Sequence, residues 1–208
     1  MKQKTPLSIK IIYWLTNFSF AILSLVLFAT IALNILLYTT SFGDDFQLHT
    51  RFPAKVDFLE IGNLHINNQD IEVELVEATA KIHFIDTPKY ISKRVAFLLL
   101  LVVSGAGYLT WVFRSFIKNV KDGIIFTIKN ISLLKRMSYI IVTFWFFTYI
   151  YMRIFYYQIS RNVEFKNIRI REEMDDNSGI LIVALLIWVL AHIFISGLRL
   201  QKENDLTI

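Results

Sequence analysis

Residues able to do chemistry are few and scattered in this chain. Histidines stand at positions 49, 65, 83 and 192. His49, His65 and His83 lie among many carboxylates, a composition from which a metal site can be assembled. Their spacings match no ligand motif, however, and histidine scattered among acids is ordinarily a solvated face. Asp44-Asp45 and Asp175-Asp176 each flank an apolar run. Such pairs can hold a divalent cation, or lipid headgroups through one, although acidic flanks account for them without either. Cysteine is absent, which excludes disulfides, thiolate metal sites and cysteine nucleophiles. No Ser/His/Asp spacing, no HExxH and no phosphate-binding loop occurs. The expectation is a protein that is not an enzyme, with no cofactor and no metal.

The elements around these residues are dominated by apolar runs. Of 208 residues, 55% are hydrophobic and 19% charged, too little polar surface to cover a soluble domain of this length. Four runs are long enough to cross a hydrocarbon core, at about 20 helical residues each: 11–39, 95–116, 138–156 and 179–198. Helices are the open-chain solution there, because backbone polar groups must pair internally. The first run is too long for a signal-peptide core and reads as a retained helix. The fold expected is an all-α membrane protein, a single domain built as a four-transmembrane-helix bundle.

Charge orients it. Residues 1–10, the loop 117–136 and the tail 199–208 carry ten Lys/Arg in forty residues. Segments 40–94 and 157–178 carry ten in seventy-seven, with fourteen acids. The excess of basic residues places both termini and the 117–136 loop in the cytoplasm. Lys89, Lys93 and Arg94 run against this trend. The net charge of +5 is thus distributed for a membrane, and direct nucleic-acid binding is not expected.

Polar residues inside the runs are the next candidates. Asn17 and Asn34 lie in the first, Asn34 sharing a stripe with Thr30 and Tyr38. Ala184, Trp188, His192 and Ser196 form an i+4 stripe in the fourth. Such groups usually face the bundle and bond a neighbouring helix. His192 is the one ionisable group well inside the fourth run. Proton handling is a default hypothesis for it, with a structural role preferred so near a span end. Arg114 and Arg153 sit near span ends, where snorkelling is expected. The small patch Ser104-Gly105-Ala106-Gly107 permits close helix approach.

The outer segments differ in kind. Ile71–Leu75 and Ala80–Phe84 alternate with period two, as do Val163/Phe165 and Ile168/Ile170, while Gly62-Asn63 and Asn67-Asn68 punctuate. This predicts short antiparallel strands sharing one sheet, a small extracytoplasmic β-rich cap made from 40–94 and 157–178.

In the 117–136 loop, Thr127 can cap a helix starting near Ile128. Its Leu133, Leu134 and Met137 fall on an apolar side, and Lys129, Lys135 and Arg136 stay near headgroups. Here the chain resembles a bacterial membrane family, domain of unknown function 2975, whose loop typically runs Gly-x-Pro-Phe-Thr/Ser-x-x-Asn. Gly123, Phe126, Thr127 and Asn130 match, with Ile125 in place of the proline. The tail is similar too. Gly197, Leu200, Glu203, Asp205, Leu206, Thr207 and Ile208 fit the family's Gly-x-x-Leu followed by Asp-Leu-Thr-Ile, although Ile195-Ser196 stand where the family often carries charge.

The resemblance implies a membrane partner for a small helix-turn-helix transcription regulator, since its members are often encoded beside one. Thus the function expected is a sensory or regulatory interaction protein of the bacterial inner membrane, in contact with the lipid bilayer and a cytoplasmic regulator. The tail is expected to dock as a short extended segment, or to pack against its own loop. A small-solute or ion transporter or channel component is the alternative, weakened by the absence of a carboxylate in any span. The sequence leaves a homo-oligomer open.

Overall fold

A computed structural model describes residues 6–39, 51–66, 69–85, 87–165, 168–170 and 178–206. His49, Asp44-Asp45 and Asp175-Asp176 lie outside the described residues, as do Thr207 and Ile208. Four helices carry the apolar runs: α1 Leu7–Tyr38, α2 Lys89–Lys121, α3 Ile128–Asn162 and α4 Gly179–Leu206. Each is long and apolar enough to cross a membrane. They fit a multi-pass, four-helix membrane bundle, and they are longer than the apolar runs because helix propensity continues through the charged flanks.

The described chain forms two compact units. The first contains α1, α4, α2 from Ala96 and α3 to Thr148. Its neighbouring helices run antiparallel. Along the α1–α2 seam, the Asn34 Nδ2 donates to the Ala96 carbonyl at 3.0 Å, and the Arg114 Nε–H donates to Asn17 Oδ1 at 2.5 Å. On the α2–α3 seam, the Gly105 backbone lies so close to the Phe144 ring that any Cβ would collide with it, whereas Gly107 faces open space. Between α3 and α4, Ser138 Oγ donates to the Ala184 carbonyl at 2.9 Å. The core here is Val112, Leu133, Leu134, Met137 and Ala191. Large apolar side chains such as Leu25 and Phe28 face outward, 71% and 76% exposed. An outward apolar face of this kind is what a lipid environment covers.

The second unit holds a three-stranded antiparallel sheet of order β2-β1-β3, where β1 is Arg51–Ile66, β2 Gln69–His83 and β3 Ile168–Ile170. Strands from segments 40–94 and 157–178 share one sheet, as the period-two patterns predict. Two expectations fail. The strands of the first segment are long, 16 and 15 residues, and Gly62-Asn63 is no turn. Gly62 pairs with Val73 inside the ladder, and only Asn67-Asn68 separate the paired ends Ile66 and Gln69. A two-residue connection is the favoured hairpin length, so the second Asn pair wins over the first.

A bulge between Asp57 and Glu60 inserts an extra residue into β1. Among the described residues β3 pairs with Val56–Phe58, and beyond the bulge the described ladder is that of β1 with β2. One face of that distal part carries Leu64, Ile66, Ile71 and Val73, and the other Asn63, His65, Asp70 and Glu72. Nearer the helices, Ala54 and Val56 are buried. A second core of Ile91, Phe155, Tyr156 and Ile159 packs Ile82, Phe84 and Ile170 against α2 and α3. The backbone N–H of Lys55 donates to the Tyr156 hydroxyl at 3.2 Å, tying strand to helix.

Candidate functional site

The candidate loop and tail residues meet at the turn between α2 and α3. Helix α2 stops because Gly123 adopts a left-handed φ of +80°. Its N–H donates to the Val120 carbonyl at 3.1 Å, and the next N–H, of Ile124, reaches back to the Asn119 carbonyl at 2.9 Å. That pair of bonds is a Schellman C-cap, and a left-handed residue at this position is cheapest as glycine. Helix α3 starts at Ile128, where expected, with Thr127 Oγ1 accepting the Asn130 N–H at 3.3 Å as an N-cap.

Asn130 is the centre of the turn. Its residue is 0% exposed. Its Nδ2 donates to the carbonyls of Ile124 and Ile125, at 2.7 and 2.8 Å, and its Oδ1 accepts from Asn119 Nδ2 at 2.7 Å. One amide therefore fastens the end of α2, the connecting residues and the start of α3. The cytoplasmic loop predicted over 117–136 is mostly helix, and the true connection is the six residues 122–127.

Phe126 extends this turn toward α4. A Cβ on Gly197 would lie 2.6 Å from Phe126 Cδ1, so glycine is needed for the ring to rest on the α4 backbone. Phe194, one turn earlier on α4, lies between the rings of Phe126 and Phe116, at 5.3 and 5.8 Å. Thus Gly123, Phe126, Thr127, Asn130 and Gly197 form one joint.

Beyond the joint the tail departs from expectation. Helix α4 passes through Gly197 without ending and continues to Leu206, with an Arg199–Glu203 pair at i,i+4 and 3.8 Å. An extended segment is therefore contradicted as far as Leu206. Gly197 costs helix propensity, but Leu, Arg, Gln, Lys and Glu follow it and favour continuation. Leu200 is 58% and Leu206 87% exposed, and neither packs into the joint. Asp205 belongs to the same last helical turn.

The polar residues of the spans divide. Asn34 is buried and bonded across to α2, as expected. Asn17 is bonded to Arg114, so Arg114 does not snorkel free: it is held by Asn17 and lies over the Phe20 ring at 5.3 Å. A guanidinium beside an amide oxygen on an adjacent helix gains a charge-assisted hydrogen bond that bulk water would otherwise supply. His192 does not face the bundle. It is exposed, and its ring contact is with Trp188 on its own helix at 5.9 Å. The i+4 stripe fails because each step of four residues advances about 40° beyond a full turn, so Ser196 stands far round from Ala184. Ala191, seven residues from Ala184, keeps the buried face instead.

Asn119 and Phe194 are members of the joint that the sequence did not reveal. Phe194 stands three residues before Gly197, where a helical-face count finds it. Asn119 carries no local signal, because its partner is on another helix. Among the described residues no group of three or more His, Asp or Glu side chains comes together. His65 pairs with Asp70 at the exposed end of the hairpin, and His83 ends β2.

The model of the family described as protein of unknown function (DUF2975) matches residues 70–208. The chain belongs to that family. For this DUF2975 protein, the match covers β2 through the tail and so includes the whole joint. No curated protein and no solved structure matches it.

Proposed function

We propose that this DUF2975 protein is a multi-pass protein of the bacterial inner membrane, with both termini and the α2–α3 turn in the cytoplasm, that couples a membrane or extracytoplasmic signal to a cytoplasmic regulator. The carrying observation is the continuation of α4 beyond the Phe126–Gly197 joint, which leaves Leu200 and Leu206 exposed on a charged helix. A helical segment docks in a groove rather than by the strand addition expected from sequence, and Leu200 and Leu206, six residues apart, stand about 120° from one another around it. Glu203 and Asp205 disfavour an anionic bilayer as the occupant, which favours a protein. Positive charge concentrated in residues 1–10, 117–136 and 199–208 supports the orientation. A helix-turn-helix transcription regulator is the partner class. The role is non-catalytic, without cofactor or direct nucleic-acid contact. A transporter or channel component would want an open polar path, and Asn17 and Asn34 are instead engaged in the α1–α2 seam.

The test is co-purification of tagged full-length protein from native membranes with a small helix-turn-helix regulator. Leu200→Glu combined with Leu206→Glu is expected to abolish capture while leaving membrane insertion intact. Unchanged capture removes the α4 extension from the mechanism. A reporter fused after Ile208 that is active only outside the cytoplasm overturns the orientation.

A further inference from the structure

The second unit contains a cavity of about 380 Å³ between the first turns of α2 and the last turns of α3. That is within the usual size of small-molecule sites. Its floor is Ile91, Phe155 and Ile159, all buried. Among the described residues its polar lining is Arg94, Gln158 and Asn162, with no carboxylate. Arg94 is half-buried, with its guanidinium over the Tyr90 ring at 5.9 Å. Its backbone is fixed from α3, where the Tyr151 hydroxyl donates to the Arg94 carbonyl at 2.8 Å. The ion pairs among the described residues do not include Arg94.

A half-buried guanidinium set beside an apolar floor is matched by an anion, and it recognises carboxylate or phosphate through two parallel N–H donors. The floor in turn calls for an apolar body, which inorganic anions lack. We infer that this cavity binds an amphipathic organic anion, its carboxylate or phosphate on Arg94 and its apolar body against Ile91, Phe155 and Ile159. The exposed Gln158 side chain at the rim offers the anion a further donor. Apolar residues begin at Val95, immediately after Arg94, so the same chemistry is available from a bilayer lipid headgroup or from a free organic acid. The inference does not rest on the docking of a regulator.

The experiment uses full-length protein in phosphatidylcholine nanodiscs, titrated with decanoate and, separately, with decanol. Decanoate is expected to bind, with decanol weaker by about tenfold or more, the worth of a charge-assisted pair. Arg94→Gln is expected to lose the same factor at an unchanged unfolding temperature, with Arg94→Lys between. Inorganic phosphate is expected not to displace decanoate. Displacement by phosphatidylglycerol in the disc assigns the site to a lipid headgroup, and its failure assigns it to a free organic acid. If Arg94→Gln does not fold, Gln158→Glu replaces it: a carboxylate at the rim must weaken decanoate by about tenfold. Equal binding of decanol, undiminished binding by the folded Arg94→Gln protein or by Gln158→Glu, or binding of neither decanoate nor phosphatidylglycerol by the natural sequence overturns the inference.

Discussion

Around Asn130, the side-chain amide finds its partners within the chain: two carbonyls accept from it and Asn119 donates to it. Around Arg94, a stronger donor also sits against apolar side chains, yet its guanidinium meets an aromatic face and a cavity. The first arrangement uses both amide donors and is fully buried, so it is closed to a ligand. The second sets five N–H donors beside a ring and a cavity. A buried polar group that is fully satisfied specifies a structure, whereas one presented to a cavity is available for binding. The family's loop motif belongs to the first kind. Gly123, Thr127 and Asn130 end one helix and start the next, and Phe126 with Gly197 seats the following one.

The sharpest break in this contrast is expected from Asn130→Ala. It removes three side-chain hydrogen bonds and orphans Asn119, so thermal unfolding in nanodiscs should show a loss of about 2–3 kcal/mol. Arg94→Gln measured the same way without ligand should leave stability nearly unchanged, and an equal loss at both positions would dissolve the distinction.

Next in size is Gly197→Ala. The added methyl displaces the Phe126 ring, at a cost of about 2 kcal/mol, and Phe126→Leu in the same chain should recover part of it. If the double variant is no better than the single one, the ring is not what requires glycine there.

Tyr156→Phe tests the sheet-bearing unit by deleting the hydroxyl that receives the Lys55 N–H. About 1 kcal/mol should be lost, read as faster amide exchange along β1.

Smallest is Glu203→Gln, which breaks an exposed i,i+4 pair and should change stability by less than about 0.5 kcal/mol. A larger loss would mean that Glu203 does more than hold Arg199, and it would weaken the proposal that the α4 extension is a docking helix.

Much of this contrast is invisible in the linear sequence. Thr127 as a cap and Gly123 as a punctuation residue are legible, since capping depends on atoms within a few residues of each other. Leu133, Leu134 and Met137 as one buried face are legible for the same reason. The pairing of Asn119 with Asn130 is not, because it depends on which faces of α2 and α3 meet. His192 illustrates the opposite hazard: a stripe drawn at i+4 looks coherent, but it drifts off the buried face within three steps. The tail misled because its family resemblance concerns residue identity, while its backbone is set by the helix formers Leu198 to Glu203. Arg94 looked like an exception to the charge count, and only the cavity beside it gives it a role.

By itself the sequence determined that four helices long and apolar enough to cross a membrane exist, that strands come from both intervening polar segments, and that the positive charge gathers in the ends and one loop. These follow from period, length and composition, which are local quantities summed along the chain. Tertiary structure alone decided that Gly197 lies beneath Phe126, that Arg94 faces a cavity rather than a carboxylate, and that β1 runs unbroken through Gly62-Asn63. Each is a contact between residues distant in sequence, where the rotation of a helix or the register of a strand selects the partner, and a shift of a single residue would select another.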